Sequence, residues 1–229
     1  MQRTGGSVTN TPPTPHALIV AGGMEIAPDR LRELAVAASL IVAADSGLLL
    51  LRKGGMEPDA VIGDLDSLTP EDLARLSSDQ VHHDPGQEDT DLEKAIRFCA
   101  DRGIKSANIV GATGGRLDHT LNAISLLLKY SSLMTFTLHD KDGSATLATR
   151  SPLRFDGQIG DRISLIPAPA AYGLSSRGLR YPLDGFDLLF GGRDAVSNAV
   201  VSAPVEIVWR NGSFLLYRQS SQAPARTTG

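Results

Sequence analysis

The chain has 229 residues, 41% of them hydrophobic and 21% charged, with a net charge of −4. That length suits one large domain or two modest ones, and neither the charge nor any Lys/Arg cluster suggests a nucleic-acid surface. The one cysteine, Cys99, excludes an internal disulfide and fits a reducing compartment.

Residues 1–15, rich in Thr, Pro, Gly and Ser, and the tail over 219–229 read as disordered arms. The first lacks the apolar stretch of a signal peptide, and no apolar run approaches the ~18 residues of a membrane span. A cytoplasmic protein without membrane partners is expected.

From 16 to 140, short apolar runs alternate with helical patterns. Residues 16–22 predict a strand closing on Gly22-Gly23. A helix follows over 28–38, with Pro28 at its start, where the missing N–H costs nothing. Residues 40–44 predict a second strand ending in Asp45-Ser46-Gly47, and LLLLRK a helix stopped by Gly54-Gly55. Residues 60–63 make a third strand, after which Thr69 caps a short helix with Pro70 first and Asp72 third. His82 and His83 read as strand or loop residues, with no third ligand at metal spacing. A helix over 90–101 holds Cys99 at core spacing with Leu92, Ala95 and Ile96. A strand over 107–111 leads to a helix over 116–130 whose Leu117, Leu121, Ile124 and Leu128 share one face. A strand over 133–139 ends the series.

After 140 the helical patterns give way to short β-rich runs: SATLATR, SPLRFDG, DRISLIPA, GLRYPL, VEIVW and FLLYR. Asn211-Gly212 between the last two predicts a hairpin. The fold class expected is therefore α/β: a mainly parallel sheet with helices on both faces over 16–140, followed by a smaller all-β sandwich over 141–218.

The acids fall at strand ends. Asp45 closes the second strand, Asp64 and Asp66 the third (VIGDLDSL), Asp89 and Asp91 introduce the 90–101 helix, and Asp118 lies in the first turn of the next. Open parallel sheets bind ligands outside these ends, so the acids converge on one rim. Any one of them serves equally well as a turn former or helix cap. The i, i+2 pair does not, because in an extended segment it sets two carboxylates on one side, repelling by about 4 kcal/mol at ~4 Å and a dielectric near 20. Oxygen donors without a His or Cys pattern point to Mg²⁺ shared with substrate phosphates. GATGGRLDH places a Gly-rich turn before a helix N-terminus, where an anion is favoured, and Arg116 suits a phosphate. Lys94 reads either as a phosphate ligand or as an ion-pair partner of Asp91. His119 reads either as a phosphate contact or as a partly buried histidine.

With these residues placed, the chain resembles the thiamine pyrophosphokinase family over about 16–217. The resemblance runs in order through AADSG, PDAVIGDLDSL, EDTDLEKAI, GATGGRLDHTLNAI, ISLIP, GLRYPL and VSNAVV. It implies transfer of the diphosphate of ATP to the hydroxyl of thiamine, with Mg²⁺ as cofactor, in a homodimer whose sites are shared between subunits. By carry-over, Asp64, Asp66 and Asp91 hold Mg²⁺, while Arg116, Asp118, His119 and Lys94 serve ATP. Asp45 and Thr90 lie near the thiamine hydroxyl, and Tyr181, Ser197 and Asn198 form the thiamine pocket. Asp45 and Asp91 are the candidate general bases. The sequence departs from the family's frequent pattern at Tyr181, where tryptophan is common, and at Glu88, where aspartate is. Trp209 reads as packing. Rival readings are a pyrophosphokinase of the same fold acting on another alcohol such as a hydroxymethylpterin, a Mg²⁺-dependent phosphohydrolase, and a non-catalytic thiamine- or nucleotide-binding regulator.

Overall fold

In the computed structural model, which describes residues 15–220, six parallel strands carry the first half of the chain. They are β1 (His16–Val20), β2 (Leu40–Ala44), β3 (Ala60–Gly63), β4 (Val81–His83), β5 (Ser106–Val110) and β6 (Thr135–His139). Their order in the sheet is β4-β3-β2-β1-β5-β6. The strands are apolar on both sides because both sides are covered. Ala17 and Ile19 of β1 join the core beneath α4 (Asp91–Asp101) and α5 (Leu117–Lys129), where Ile96, Cys99, Leu126 and Leu127 are buried. Leu18 and Val20 join the opposite core beneath α1 (Pro28–Ala37) and α2 (Gly47–Lys53), through Leu31, Leu34, Leu48 and Leu51. Burial holds the Cys99 thiol up at about 12, so it remains a protonated core residue.

Local chemistry fixes the helix starts. Pro28 opens α1, and Thr69 and Asp72 form a reciprocal capping box on α3 (Pro70–Leu73). The Thr90 side chain caps α4 by accepting from Glu93 N. Successive strands are added outward from β1 to one side as far as β4 and then to the other from β5, so the loops leaving the parallel β1 and β5 part above a crevice.

The second half continues the same sheet. β7 (Gly143–Ala148) runs antiparallel to β6 and then pairs with β13 (Asn211–Gln219). β9 (Arg162–Arg177) carries the rest: its long ladder meets β13, its far end meets β12 (Val205–Val208), and its other edge meets β10 (Phe186–Leu189) and β11 (Ala195–Ala199). β8 (Leu153–Phe155) closes the path beyond β12. Ile163, Leu165, Leu174, Leu188, Trp209 and Phe214 fill the core of this region. Trp209 packs edge-on to Phe214 at 4.9 Å and donates to the Gly212 carbonyl, a packing residue as its sequence position suggests.

Three expectations change. Asn211-Gly212 makes no hairpin, because β12 and β13 flank different stretches of β9; Gly212 (φ 86°) sits at a register shift against β9, too close to the Ala170 carbonyl for a side chain. The tail does not begin at 219: Gln219 pairs with Gly143, and Ser220 N donates to the Asp142 carbonyl. Leu117 and Leu121 are 72% and 58% exposed, and α5 instead buries Ala123, Leu126 and Leu127. The arms over 1–14 and 221–229 lie outside the described residues. No described helix is long and apolar enough to cross a membrane.

Candidate active site

The crevice above β1 and β5 is a cavity of about 590 Å³, a size suited to a small-molecule ligand. Glycine at the loop crossings lets the walls approach. A side chain at Gly23 would stand 2.3 Å from the Gly111 carbonyl, which instead accepts from Gly23 N at 2.6 Å. One end of the cavity is acidic. β2 ends at Asp45, which is 7% exposed and takes a left-handed φ of 45°. β3 ends at Gly63, where a Cβ would meet Asp91 Oδ1 at 2.9 Å and Asp45 Cβ at 3.1 Å. Leu65 then takes φ 60° and buries its side chain with Leu68, leaving Asp64 and Asp66 facing outward on either side.

Asp45, Asp64 and Asp66 each bring a carboxylate oxygen within 4.8 Å of the others. The backbone N–H of Asp66 holds the Asp64 carboxyl below its usual range. Sharing a proton with Asp64 and facing its charge push Asp66 up. Asp45 Oδ1 is buried and finds no hydrogen-bond partner among the described residues. A buried carboxylate oxygen without a donor, beside two more carboxylates and no thiolate or imidazole, fits a hard divalent cation such as Mg²⁺. Asp91, the first residue of α4, stands across Gly63 from this trio with its Oδ1 taking a hydrogen bond from Lys94 Nζ at 3.2 Å.

At the other end, Arg116 is the N-cap residue of α5 and grips Asp118 with Nε at 3.1 Å and Nη2 at 2.5 Å. This pairing draws the Asp118 carboxyl down. Arg116 and His119 line the cavity; Asp118 does not. Thr90 lines it too, its hydroxyl 3.3 Å from Asn122 Oδ1. Asp89 pairs with Arg97. The lining residues that sequence reasoning passed over are chiefly Ser46, Gln87, Thr113 and Asn122. Helical spacing marks Asn122, three residues after His119; Gln87, 3.4 Å from Asp64 Oδ2, carries no such signal in its loop.

Of the residues expected to serve thiamine, Asp45 and Thr90 line this cavity, whereas Tyr181, Ser197 and Asn198 do not. Tyr181 is 63% exposed. Ser197 (φ 56°) lines a separate hollow of about 230 Å³ with Arg162, Ser164 and Tyr217. Asn198 is buried, and its amide is spent on the backbone: Oδ1 accepts from Tyr181 N and Ala199 N, and Nδ2 donates to the Tyr181 carbonyl at 2.7 Å.

A doubly covered parallel sheet with an acidic rim and a helix N-terminus over one crevice suits a phosphate-handling α/β enzyme. Comparison with known proteins narrows this class. The profile described as "Thiamin pyrophosphokinase, catalytic domain" matches residues 31–137, and the "vitamin B1 binding domain" of the same family matches 152–214. The chain belongs to the thiamin pyrophosphokinase family. Thiamine pyrophosphokinase 1 of Oryza sativa subsp. japonica is 31% identical over 66% of this chain and 62% of its own length. The thiamine pyrophosphokinase of Bacillus subtilis is 27% identical over 88% of this chain and 97% of its own. The crystal structure of the B. subtilis protein superposes with a TM-score of 0.78 at 25% identity, covering 90% of this chain and all of that one.

Proposed function

We propose that the chain transfers the terminal diphosphate of ATP to the primary hydroxyl of thiamine, giving thiamine diphosphate and AMP. The observation that carries this is the trio Asp45, Asp64 and Asp66 with its buried, unpartnered oxygen, at the strand ends of the region matched by the family's catalytic profile. Asp64 and Asp66, with Asp45 or Asp91 beside them, would hold Mg²⁺. When bound, the ion neutralises phosphate charge, which is most of what phosphoryl transfer asks of a protein. Arg116 and the N-terminus of α5 face the cavity as anion donors. The thiamine oxygen attacks the β-phosphorus, the bond from that phosphorus to the α-phosphate oxygen breaks, and AMP leaves. The hydroxyl proton passes to Asp45 or Asp91, the carboxylates that flank Gly63.

The thiamine end of the site comes from a second copy of the chain. Tyr181 is exposed and offers a π face for a cationic thiazolium. The exposed Leu117 and Leu121 beside Arg116 offer an apolar surface for that copy to cover. The single buried thiol suits a reducing, cytoplasmic setting.

Incubation with ATP, Mg²⁺ and thiamine tests the reading: AMP and thiamine diphosphate are expected in equal amounts. ADP as product, phosphate release without transfer, or thiamine bound without turnover would each overturn it.

A further inference from the structure

Lys94 is a buried charge that the proposed reaction leaves without a task. It lies in α4 with its side chain 4% exposed, and its ammonium donates to the Asp84 carbonyl at 2.8 Å and to Asp91 Oδ1 at 3.2 Å. Both partners are tied to the end of β3. Asp84 N donates to the Gly63 carbonyl at 2.8 Å, and Asp91 Oδ1 packs 2.9 Å from where a Cβ on Gly63 would stand. Gly63, Asp84, Lys94 and Asp91 thus form a closed ring around the strand end that delivers Asp64 and Asp66.

We propose that Lys94 is a positioning residue for Asp91 and not a ligand of the polyphosphate. It locks the 84–90 loop and the first turn of α4 onto β3, so that Asp91 meets the acidic trio in one fixed orientation. Lys94 lines the cavity wall, but its stem is enclosed and two of its three N–H bonds are committed to the Asp84 carbonyl and Asp91 Oδ1. Without it, Asp91 would be a fourth carboxylate beside three others, and repulsion would turn it away. Nor would arginine substitute, because a planar guanidinium does not reproduce a compact ammonium shared between the Asp84 carbonyl and Asp91 Oδ1.

The inference rests on the diphosphate-transfer reading, and one set of variants of the full chain separates the two: Lys94→Met, Lys94→Arg, Asp91→Asn and the Lys94→Met/Asp91→Asn pair. AMP formation is measured over a range of ATP, with thermal unfolding as the check on folding. Lys94→Met should lower kcat about 100-fold, the scale of a small misplacement in a site, with KM for ATP within about threefold of the parent. Lys94→Arg should do the same, which carries the comparison if Lys94→Met does not fold. The paired variant should be no worse than Asp91→Asn, since the lysine acts through that carboxylate. A KM raised about tenfold with kcat kept, an active Lys94→Arg, or losses that multiply in the pair would overturn the inference. If the parent makes no AMP from ATP and thiamine, the functional reading fails, and hydrogen exchange decides the positioning role. Faster exchange at the Asp84 amide in Lys94→Met supports it, and unchanged exchange refutes it.

Discussion

Among the described residues, left-handed backbone outside glycine occurs at Asp45, Leu65 and Ser197. Each such residue costs on the order of 1 kcal/mol, and strain of this kind persists where surrounding structure holds it. Two of the three shape the acidic rim, and the third, Ser197, is one of the residues that the thiamine reading assigns to the vitamin. The i, i+2 spacing of Asp64 and Asp66 made the pair legible as one site, but through the wrong backbone. The segment is not extended; Leu65 turns inward and its burial with Leu68 offsets the strain. No propensity scale discloses a left-handed leucine, because its cause is a tertiary contact. Asp64→Asn or Asp66→Asn should cut the rate of AMP formation at least about 100-fold, as loss of metal-assisted charge stabilisation does. Asp66→Asn should also unfold at an equal or higher temperature, since it removes the carboxyl that the neighbouring Asp64 pushes up. Near-parental turnover in both would sink the cation assignment.

Elements were legible where a local cause sets them. The Thr69 capping box and the apolar strands gave boundaries within a residue or two. The Asn211-Gly212 signal and the apolar stripe of α5 misled because their partners lie elsewhere: β12 and β13 each answer to β9, and Leu117 and Leu121 face outward. A third feature of the elements, not apparent from sequence, is a polar line across β1, β5 and β6. His139 Nε2–H donates to Asn108 Oδ1 at 2.9 Å, Asn108 Nδ2 donates to His16 Nε2 at 2.7 Å, and His16 Nδ1–H donates to Ser106 Oγ at 2.8 Å. The His16 ring, which accepts at Nε2, is therefore neutral and holds a set tautomer. Burial lowers His139 to about 4, with Arg30 and His16 adding to the effect and Asp140 opposing it. Above pH ~6.5 neither state is protonated at this residue and it contributes no pH dependence. Between ~6.5 and about 4 the unfolded chain binds a proton that the folded chain refuses, so stability falls as pH falls, by on the order of 3 kcal/mol in all. Urea unfolding at pH 7 and pH 4.5 checks this. The parent should lose more stability between the two than His139→Gln, and equal losses would refute the assignment.

At the scale of the whole molecule, the composition change near residue 140 was legible, but it does not mark a break in the sheet. β6 hands over to β7 in one ladder, and Ala145, Ala168 and Leu215 join the core beneath α4 and α5. The two halves are thus fixed by shared pairing, and Tyr181 has no loose linker by which to swing toward Asp64. If both residues serve one reaction, they must come from different chains, with each dimer holding two mixed sites related by two-fold symmetry. This gives a test free of any assumption about affinity. Asp64→Asn and Tyr181→Ala chains are each prepared in low-activity form, then mixed, dissociated and reassembled. Half of the dimers formed are mixed, and in each of these one site pairs an intact Asp64 with an intact Tyr181 while the other carries both defects. Activity should return to about a quarter of the parent's under random pairing. No recovery in a mixture that light scattering shows to be dimeric would mean that Asp64 and Tyr181 do not serve a common site across the interface.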